Sequence, residues 1–228
     1  MIDTVLFDLD NTLLDFSKAE RIALKAALER MGLQPGNEML DRYSVLNGEQ
    51  WKLLELGKLT REEVKERRFE LLFQEYGLNC SAKEATEIYE KLLEIGHYFV
   101  EGTPELLEEL FSKYRMYIVT NGTASVQKCR MKSAEIEKYF SGVFISEEIG
   151  FDKPTREYFD RCFAKIQGFQ KENAVIIGDS LTSDIRGGKN TGIRTIWFNP
   201  KHIQNNTDIQ PDHEIECLNE IPELLRKM

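Results

Sequence analysis

Short apolar runs alternate with helix-like segments along most of this chain, and this rhythm constrains the fold more than any other feature. Five runs have the length and composition of buried strands: residues 4–8, 116–120, 143–145, 174–178 and 194–198. The segments between the later runs carry helix start and stop signals such as capping residues, proline at the first turn and terminal glycine. Strands that alternate with helices form a parallel sheet covered on both faces. The sequence therefore predicts an α/β protein with a Rossmann-like parallel sheet.

Residues 16–98 interrupt this rhythm, because they show helix signals and no convincing strand. Capping boxes, in which Ser or Thr is followed three residues later by Glu, predict helix starts near Ser17, Thr60 and Ser81. The first predicted strand precedes this block and the other four follow it. We therefore predict a core domain made of residues 1–15 and 99–228, with an all-helical domain, residues 16–98, inserted into it.

Charge and composition exclude several classes of partner. The 228 residues carry a net charge of -9 at pH 7, so we expect no broad basic face for a nucleic acid polymer. The N-terminus lacks the basic stretch of a signal peptide, and no apolar run approaches the roughly 18 residues of a membrane span. The four cysteines lack metal-ligand spacing and are expected to be reduced. These features favour a cytoplasmic protein without a membrane partner.

Polar residues follow the predicted strands, at the edge where a parallel sheet binds its ligands. Two acids at the tip of a buried strand are costly to desolvate, so a cation or a reaction should account for them. Carboxylates together with a hydroxyl, an amide and a lysine suit a hard divalent cation and the phosphoryl group that it helps to neutralise. In chain order the candidate residues are Asp8, Asp10, Thr120, Asn121, Lys153, Asp179 and Asp184.

These residues resemble, in order, the four motifs of the haloacid dehalogenase-like (HAD) hydrolase superfamily. The resemblance spans the whole chain, and the helical insertion looks like the cap domain of that superfamily. It implies a Mg²⁺-dependent phosphatase that acts on a small phosphate ester through an aspartyl-phosphate intermediate. The motifs are Asp8-Leu9-Asp10-Asn11-Thr12, Thr120 after an apolar strand, Lys153-Pro154, and Gly178-Asp179-Ser180 with Asp184 beyond.

The first motif carries the covalent chemistry in this resemblance. Asp8 would be the nucleophile that attacks phosphorus. Asp10 would protonate the leaving oxygen and later activate water, and its backbone carbonyl would bind Mg²⁺ beside the Asp8 carboxylate. The true dehalogenases of the superfamily attack carbon and lack an acid–base aspartate two places after the nucleophile. The presence of Asp10 therefore favours phosphoryl transfer over dehalogenation.

The other three motifs would complete the site. The resemblance implies that Asp179 is a further metal ligand, with Asp184 nearby or behind the ligands. Thr120 and Asn121 would donate hydrogen bonds to the phosphoryl oxygens. Lys153 would bind the phosphoryl group as well and neutralise the charge that develops in the transition state.

A closer resemblance concerns the substrate. Residues 119–130, residues 143–160 and the segment around Trp51 and Arg68 are similar to the helical-cap pyrimidine 5′-nucleotidases of bacteria. This similarity implies a nucleoside 5′-monophosphate as substrate. Phe16, Trp51 and Arg68 are then candidate substrate contacts, through stacking on a base and a cationic contact.

Other functions share some of these features. A sugar-phosphate phosphatase or a phosphomutase would have the same core motifs and differ in the helical insertion. A non-catalytic phospho-acceptor module is disfavoured by the motif order Asp, Thr, Lys, Asp, and a core retained only to bind another protein is disfavoured by the completeness of the motifs. Among single residues, Asp184 could instead cap a helix, Trp51 could belong to a core, and Arg68 could lie on a solvated helix face.

Overall fold

The computed structural model describes residues 1–228, which divide into two compact units. Unit 1 consists of Met1–Asp15 and Tyr98–Met228, and unit 2 consists of Phe16–His97. None of the helices combines the length and the hydropathy that a membrane crossing requires. In chain order the α-helices are α1 (Phe16–Arg30), α2 (Asn37–Glu55), α3 (Arg61–Glu75), α4 (Ala82–Leu93), α5 (Thr103–Phe111), α6 (Ala124–Ser133), α7 (Ser146–Ile149), α8 (Arg156–Ala164), α9 (Arg186–Thr191) and α10 (Ile221–Lys227). Short 3₁₀ turns span Glu137–Tyr139, Lys171–Asn173 and Leu218–Glu220, and a π-helical turn spans Leu181–Ile185.

Unit 1 is built on one parallel sheet, which confirms the predicted fold class. Its strands are β1 (Thr4–Phe7), β2 (Arg115–Thr120), β3 (Gly142–Ile145), β4 (Ala174–Gly178), β5 (Arg194–Phe198) and β6 (His213–Ile215). The strands lie in the order β3-β2-β1-β4-β5-β6, and every neighbouring pair is parallel. The strand order reverses at β1, and open α/β sheets bind their ligands in the crevice that such a reversal opens at the carboxyl ends.

Helices cover both faces of the sheet. Successive side chains of a strand point to opposite faces, and the apolar side chains of the central strands need packing partners on each face. Along β1, Val5 and Phe7 belong to one apolar cluster and Leu6 belongs to another. Side chains of α5 and α10 join the first cluster, and side chains of α8 join the second. The central strands are thus buried on both sides, which explains why they are apolar throughout and show no polar alternation.

Unit 2 contains α1–α4, with α2 packed on α3 and α1 packed on α4. The rings of Tyr43, Phe69 and Tyr89 form its aromatic centre, with centroids 4.9 to 5.7 Å apart. The helix start predicted at Thr60 is confirmed. Its hydroxyl accepts a hydrogen bond from the backbone of Glu63, and the Glu63 carboxylate accepts one from the backbone of Thr60.

The helix start predicted near Ser17 is confirmed to within one residue, but Ser17 is not the N-cap. Helix α1 already begins at Phe16, so Ser17 lies inside its first turn. The carboxylate of Glu20 is buried and accepts a hydrogen bond from Asn47 Nδ2 at 2.6 Å. The local capping pattern does not predict this partner on α2.

The sequence does not predict β6. This strand has three residues, of which His213 and Glu214 are exposed and only Ile215 is buried. It pairs with β5 at the edge of the sheet. So short an edge strand leaves no apolar periodicity to recognise.

Gly188 tests the packing of α9 on the sheet. A Cβ at this position would lie 2.5 Å from Thr195 Cγ2 and 2.7 Å from Ile176 Cγ2. We expect Gly188→Ala to lower the free energy of unfolding by about 1–3 kcal/mol, the usual cost of overpacking a core. Urea unfolding followed by circular dichroism measures the change.

Gly48→Ala is the matched control, because it also replaces a glycine within a helix. A Cβ there meets no neighbouring atom within 4 Å. We expect it to be neutral or to stabilise by up to about 1 kcal/mol, the difference in helix propensity. Equal destabilisation by both substitutions would contradict the close approach of α9 to the sheet.

Candidate active site

Asp8 lies at the carboxyl end of β1, in the crevice where the strand order reverses. Its backbone N–H donates to the carbonyl of Ile177 on β4 at 2.9 Å, so sheet pairing fixes the residue. Its carboxylate accepts hydrogen bonds from Lys153 Nζ at 2.6 Å and from Thr12 Oγ1 at 3.2 Å. The turn that returns Thr12 to Asp8 places Asn11 at a φ of 59°, the left-handed region that asparagine tolerates better than most residues.

Lys153 is the cation at the centre of the site, with 2% of its side chain exposed. Its ammonium donates to Asp8 Oδ1 and Asp184 Oδ1, each at 2.6 Å, and to the Val119 carbonyl at 2.9 Å. These three bonds use all three of its hydrogens. The side chain of Asn121 accepts from the Lys153 backbone N–H at 2.8 Å and donates to the Lys153 carbonyl at 2.9 Å. Asn121 therefore positions Lys153, and its contact with a phosphoryl oxygen stays a prediction.

Three carboxylates converge beside this ammonium. Oxygens of Asp8, Asp179 and Asp184 all lie within 4.8 Å of one another. Asp184 is almost fully buried and accepts a hydrogen bond from the Ser180 backbone N–H at 3.1 Å, so it belongs to the charged cluster and not to a solvated helix cap. Gly178 permits this approach, because a Cβ there would lie 2.3 Å from the Asp184 carboxyl carbon.

The charge balance of the cluster is negative, with three carboxylates facing one ammonium. Burial raises the pKa of Asp8 to about 7; Asp184 and Asp10 add to the rise, and Lys153 opposes it. Burial, reinforced by Asp8 and Asp184, also raises the pKa of Asp179 well above its ordinary value. A divalent cation would relieve this repulsion, and every donor here is a hard oxygen. These three carboxylates therefore fit a Mg²⁺ ion.

Asp10 faces a different set of partners, on α6. Its carboxylate accepts hydrogen bonds from Arg130 Nη1 and, at 2.7 Å, from Gln127 Nε2. Gln127 Nε2 also donates to Thr120 Oγ1 at 2.9 Å, while Arg130 Nη1 donates to Gln127 Oε1 at 2.9 Å. Neither residue is among the site residues predicted from the sequence. Both lie within residues 119–130, and their Gln-x-x-Arg spacing places the two side chains on one helix face.

The substrate candidates Phe16, Trp51 and Arg68 all lie in unit 2. Phe16 and Trp51 are half-buried, and Trp51 Nε1 donates to Asn47 Oδ1 at 3.1 Å. Arg68 is 3% exposed and donates to the same oxygen at 2.9 Å, with its guanidinium 4.9 Å from the Tyr89 ring centroid. A solvated helix face is therefore wrong for Arg68. A contact of any of the three with substrate stays a prediction.

The sheet and the motifs at its strand ends define a known class of protein. The sequence pattern of the family described as haloacid dehalogenase-like hydrolase matches residues 5–198. This chain belongs to that family and is an enzyme of the hydrolase class.

Sequence comparison with individual proteins shows which members of this family the chain is similar to. The chain is 39% identical to the HAD-hydrolase YfnB of Bacillus subtilis, over 97% of this chain and 94% of YfnB. It is 38% identical to the pyrimidine 5′-nucleotidase PynA of Streptococcus pneumoniae, over 98% and 94% of the two chains. It is 28% identical to the pyrimidine 5′-nucleotidase YjjG of Escherichia coli, over 99% and 98%. A crystal structure of YfnB bound to magnesium matches with a TM-score of 0.94 and 39% identity over 98% of both chains. The predicted similarity to this group is confirmed.

The raised pKa of Asp8 predicts how stability depends on pH without metal. The pKa is about 7 in the folded chain and 3.8 ordinarily, so the folded state binds more protons than the unfolded state between these values. The stabilisation from this carboxyl is fully present below about pH 4 and is lost as the pH rises through about 7. Urea unfolding in EDTA should show a decrease of at most about 1.4 kcal/mol per pH unit from this group.

Asp8→Asn is the control, because its amide does not titrate. We expect the difference in unfolding free energy between this variant and the wild type to grow as the pH rises from about 5 to about 7.5. Mg²⁺ should stabilise the wild type most at the upper end of this range, where the carboxylates are ionised. Parallel pH curves for the two proteins in EDTA would show that Asp8 has no raised pKa.

Proposed function

We propose that this enzyme is a Mg²⁺-dependent phosphomonoester hydrolase that acts through an aspartyl-phosphate intermediate on nucleoside 5′-monophosphates. The observation that carries the proposal is the placement of Asp8. Its carboxylate lies at the end of the central strand, 2.6 Å from Lys153 and beside two further acids. A carboxylate held in this way is a competent nucleophile towards phosphorus once its neighbours' charge is offset.

The reaction would proceed in two steps. In the first, a carboxylate oxygen of Asp8 forms a bond to phosphorus while the ester oxygen leaves with a proton from Asp10. In the second, Asp10 takes a proton from water, which attacks the phosphorus and releases phosphate from Asp8. Thr120 would donate a hydrogen bond to a phosphoryl oxygen, and Lys153 would supply positive charge against the oxygens as negative charge develops.

The metal would be held by Asp8, Asp179 and the backbone carbonyl of Asp10, with Asp184 behind them on Lys153. When bound, Mg²⁺ would neutralise the phosphoryl oxygens and the carboxylates around them. The converging acids and the raised pKa values of Asp8 and Asp179 support this assignment. The magnesium-bound structure of YfnB supports it from a relative that is 39% identical.

The substrate class rests on the relatives and on residues of unit 2. PynA and YjjG are named as pyrimidine 5′-nucleotidases, which favours a nucleoside 5′-monophosphate for this chain as well. Phe16 and Trp51 would stack on the base, since each ring is only half-buried. Arg68 would support the Trp51 indole, because both side chains donate to the Asn47 side-chain oxygen.

A phosphate-release assay over a panel of substrates tests this function. The panel contains purine and pyrimidine nucleoside 5′-monophosphates and sugar phosphates, each with Mg²⁺ and with EDTA. We expect phosphate release from the nucleotides with Mg²⁺, and loss of that release in EDTA. A preference for sugar phosphates would contradict the substrate class, and isomer interconversion with little free phosphate would indicate a phosphomutase. Full activity in EDTA would contradict the metal assignment.

Substitutions at Asp8 and Thr120 separate their proposed roles. Asp8→Asn keeps the size of the side chain but removes the nucleophile, so kcat should fall to background. Thr120→Ala removes one oriented donor, which typically costs about 10²–10³ in kcat. Steady-state kinetics on the preferred nucleotide measures both.

Asp208→Asn is the control for loss of a carboxylate. The side chain of Asp208 is 87% exposed and pairs only with Arg186 on the surface, so this variant should keep wild-type kinetics. Similar mild losses in Asp8→Asn and Thr120→Ala would show that neither residue has the role proposed for it.

A further inference from the structure

Two side chains of α6 connect the proposed acid–base residue to the proposed phosphate-binding hydroxyl. Arg130 is fully buried and Gln127 is 1% exposed. Together they donate to both carboxylate oxygens of Asp10, and Gln127 continues the network to Thr120. None of the four motifs at the strand ends contains either residue.

A contribution to folding stability does not by itself explain the ion pair between Arg130 and Asp10. Taking a guanidinium out of water is expensive, and replacing a buried ion pair by apolar residues is often neutral or stabilising. Arg130 is nevertheless 0% exposed, and its partner Asp10 keeps 27% of its side chain exposed. The buried end of the pair belongs to the helix and the accessible end belongs to the proposed acid–base group. A reactive carboxyl must stay accessible to substrate, whereas the residue that holds it in position can be buried. The difference in exposure between Asp10 and Arg130 fits these two roles.

The hydrogen bonds of the network have one direction, because a guanidinium can only donate. Arg130 Nη1 faces Oε1 of Gln127, so the carbonyl end of the amide must point to Arg130. The NH₂ end is thereby turned to Asp10 and Thr120. A flipped amide would place NH₂ against the guanidinium and a carbonyl against the Asp10 carboxylate, losing bonds at both ends. Arg130 therefore determines which way the Gln127 amide points.

This orientation keeps the hydrogen of the Thr120 hydroxyl available. Thr120 Oγ1 accepts from Gln127 Nε2 at 2.9 Å and from the Gly122 backbone N–H at 3.4 Å. Both bonds use lone pairs of the hydroxyl oxygen, so its hydrogen can be donated to a phosphoryl oxygen. Gly122 leaves room for the amide, because a Cβ there would lie 2.4 Å from Gln127 Nε2.

We propose that Arg130 and Gln127 are positioning residues for phosphoryl transfer. Arg130 holds the Asp10 carboxyl towards the leaving oxygen and sets the orientation of the Gln127 amide. Gln127 holds the other oxygen of Asp10 and makes the Thr120 hydroxyl a donor to the phosphoryl group. This inference rests on the proposed function and deepens it, because it assigns the support of two groups that the reaction uses.

The test of Arg130 compares two leaving groups. An alkyl phosphate such as a nucleoside 5′-monophosphate needs a proton from Asp10 on its leaving oxygen, whereas p-nitrophenyl phosphate expels a phenolate that leaves without one. The value of kcat/KM covers the steps up to loss of the leaving group. Arg130→Met should therefore lower kcat/KM at least about tenfold more for the alkyl ester than for p-nitrophenyl phosphate. This difference is part of the rate enhancement of about 10²–10⁴ that general acid–base catalysis typically supplies. A purely structural defect would lower both values equally.

The test of Gln127 is a double-mutant cycle with Thr120→Ala. Gln127→Met keeps the length of the side chain without its hydrogen bonds, and p-nitrophenyl phosphate removes the contribution of Asp10 as an acid. On this substrate we expect Gln127→Met to lower kcat/KM about 10-fold or more in the wild-type background, but by less than about threefold when Thr120 is already alanine. Equal losses in the two backgrounds would show that Gln127 does not act through the Thr120 hydroxyl.

Lys132→Met, an exposed position on the same helix, is the matched control and should keep wild-type kinetics with both leaving groups. Unfolding midpoints are recorded for every variant. If Arg130→Met does not fold, Arg130→Lys takes its place, because it keeps the charge but loses the planar fork and should show the same leaving-group dependence to a smaller degree.

A wild type inactive on every phosphate ester would overturn the proposed function itself. An active wild type with leaving-group-independent and additive losses would overturn only the positioning roles.

Discussion

The ion pairs of Lys153 with Asp8 and Asp184 are the interaction on which the rest of the site depends. Burial removes hydration from the carboxylates of Asp8 and Asp184. Without the ammonium of Lys153 to offset their charge, they would repel each other at close range. The two contacts of 2.6 Å connect the segment that precedes α8 to the end of β1 and to the π-helical turn Leu181–Ile185 that follows β4. One side chain thereby holds together three connections at the ligand edge of the sheet. The remaining excess of negative charge is what makes this edge a place for a divalent cation.

Asp8 and Asp10 stand two residues apart but have different surroundings. Asp8 is buried against an ammonium and two acids, and its pKa is raised to about 7. Asp10 is partly exposed and lies against a guanidinium and an amide on α6. Pairs of carboxylates in contrasting environments commonly divide acid–base and nucleophilic work between them. The contrast here follows from the docking of α6 beside the end of β1, which gives Asp10 partners that Asp8 cannot reach.

Much of the fold and part of the site could be predicted from local patterns. The apolar runs predict five of the strands, because strands buried on both faces carry no polar alternation. Since parallel strands end at one edge, polar residues after them were expected to meet, and the structure brings Asp8, Lys153, Asp179 and Asp184 together. Local signals do not predict distant partners such as Asn47, which donates a hydrogen bond to the buried Glu20 carboxylate. The short edge strand β6 leaves no pattern at all.

The amino-acid pattern alone specifies the parallel α/β class and which polar residues stand at the strand ends. These properties follow from the hydrophobic pattern of each short segment and from the order of the segments along the chain. Two sets of contacts exist only in the folded chain: those of Lys153 with Asp8 and Asp184, and those of Arg130 and Gln127 with Asp10 and Thr120. Such contacts join segments more than a hundred residues apart in the case of Asp10 and Arg130. They exist because helices dock on the sheet at one position and angle, and no short stretch of sequence records that geometry.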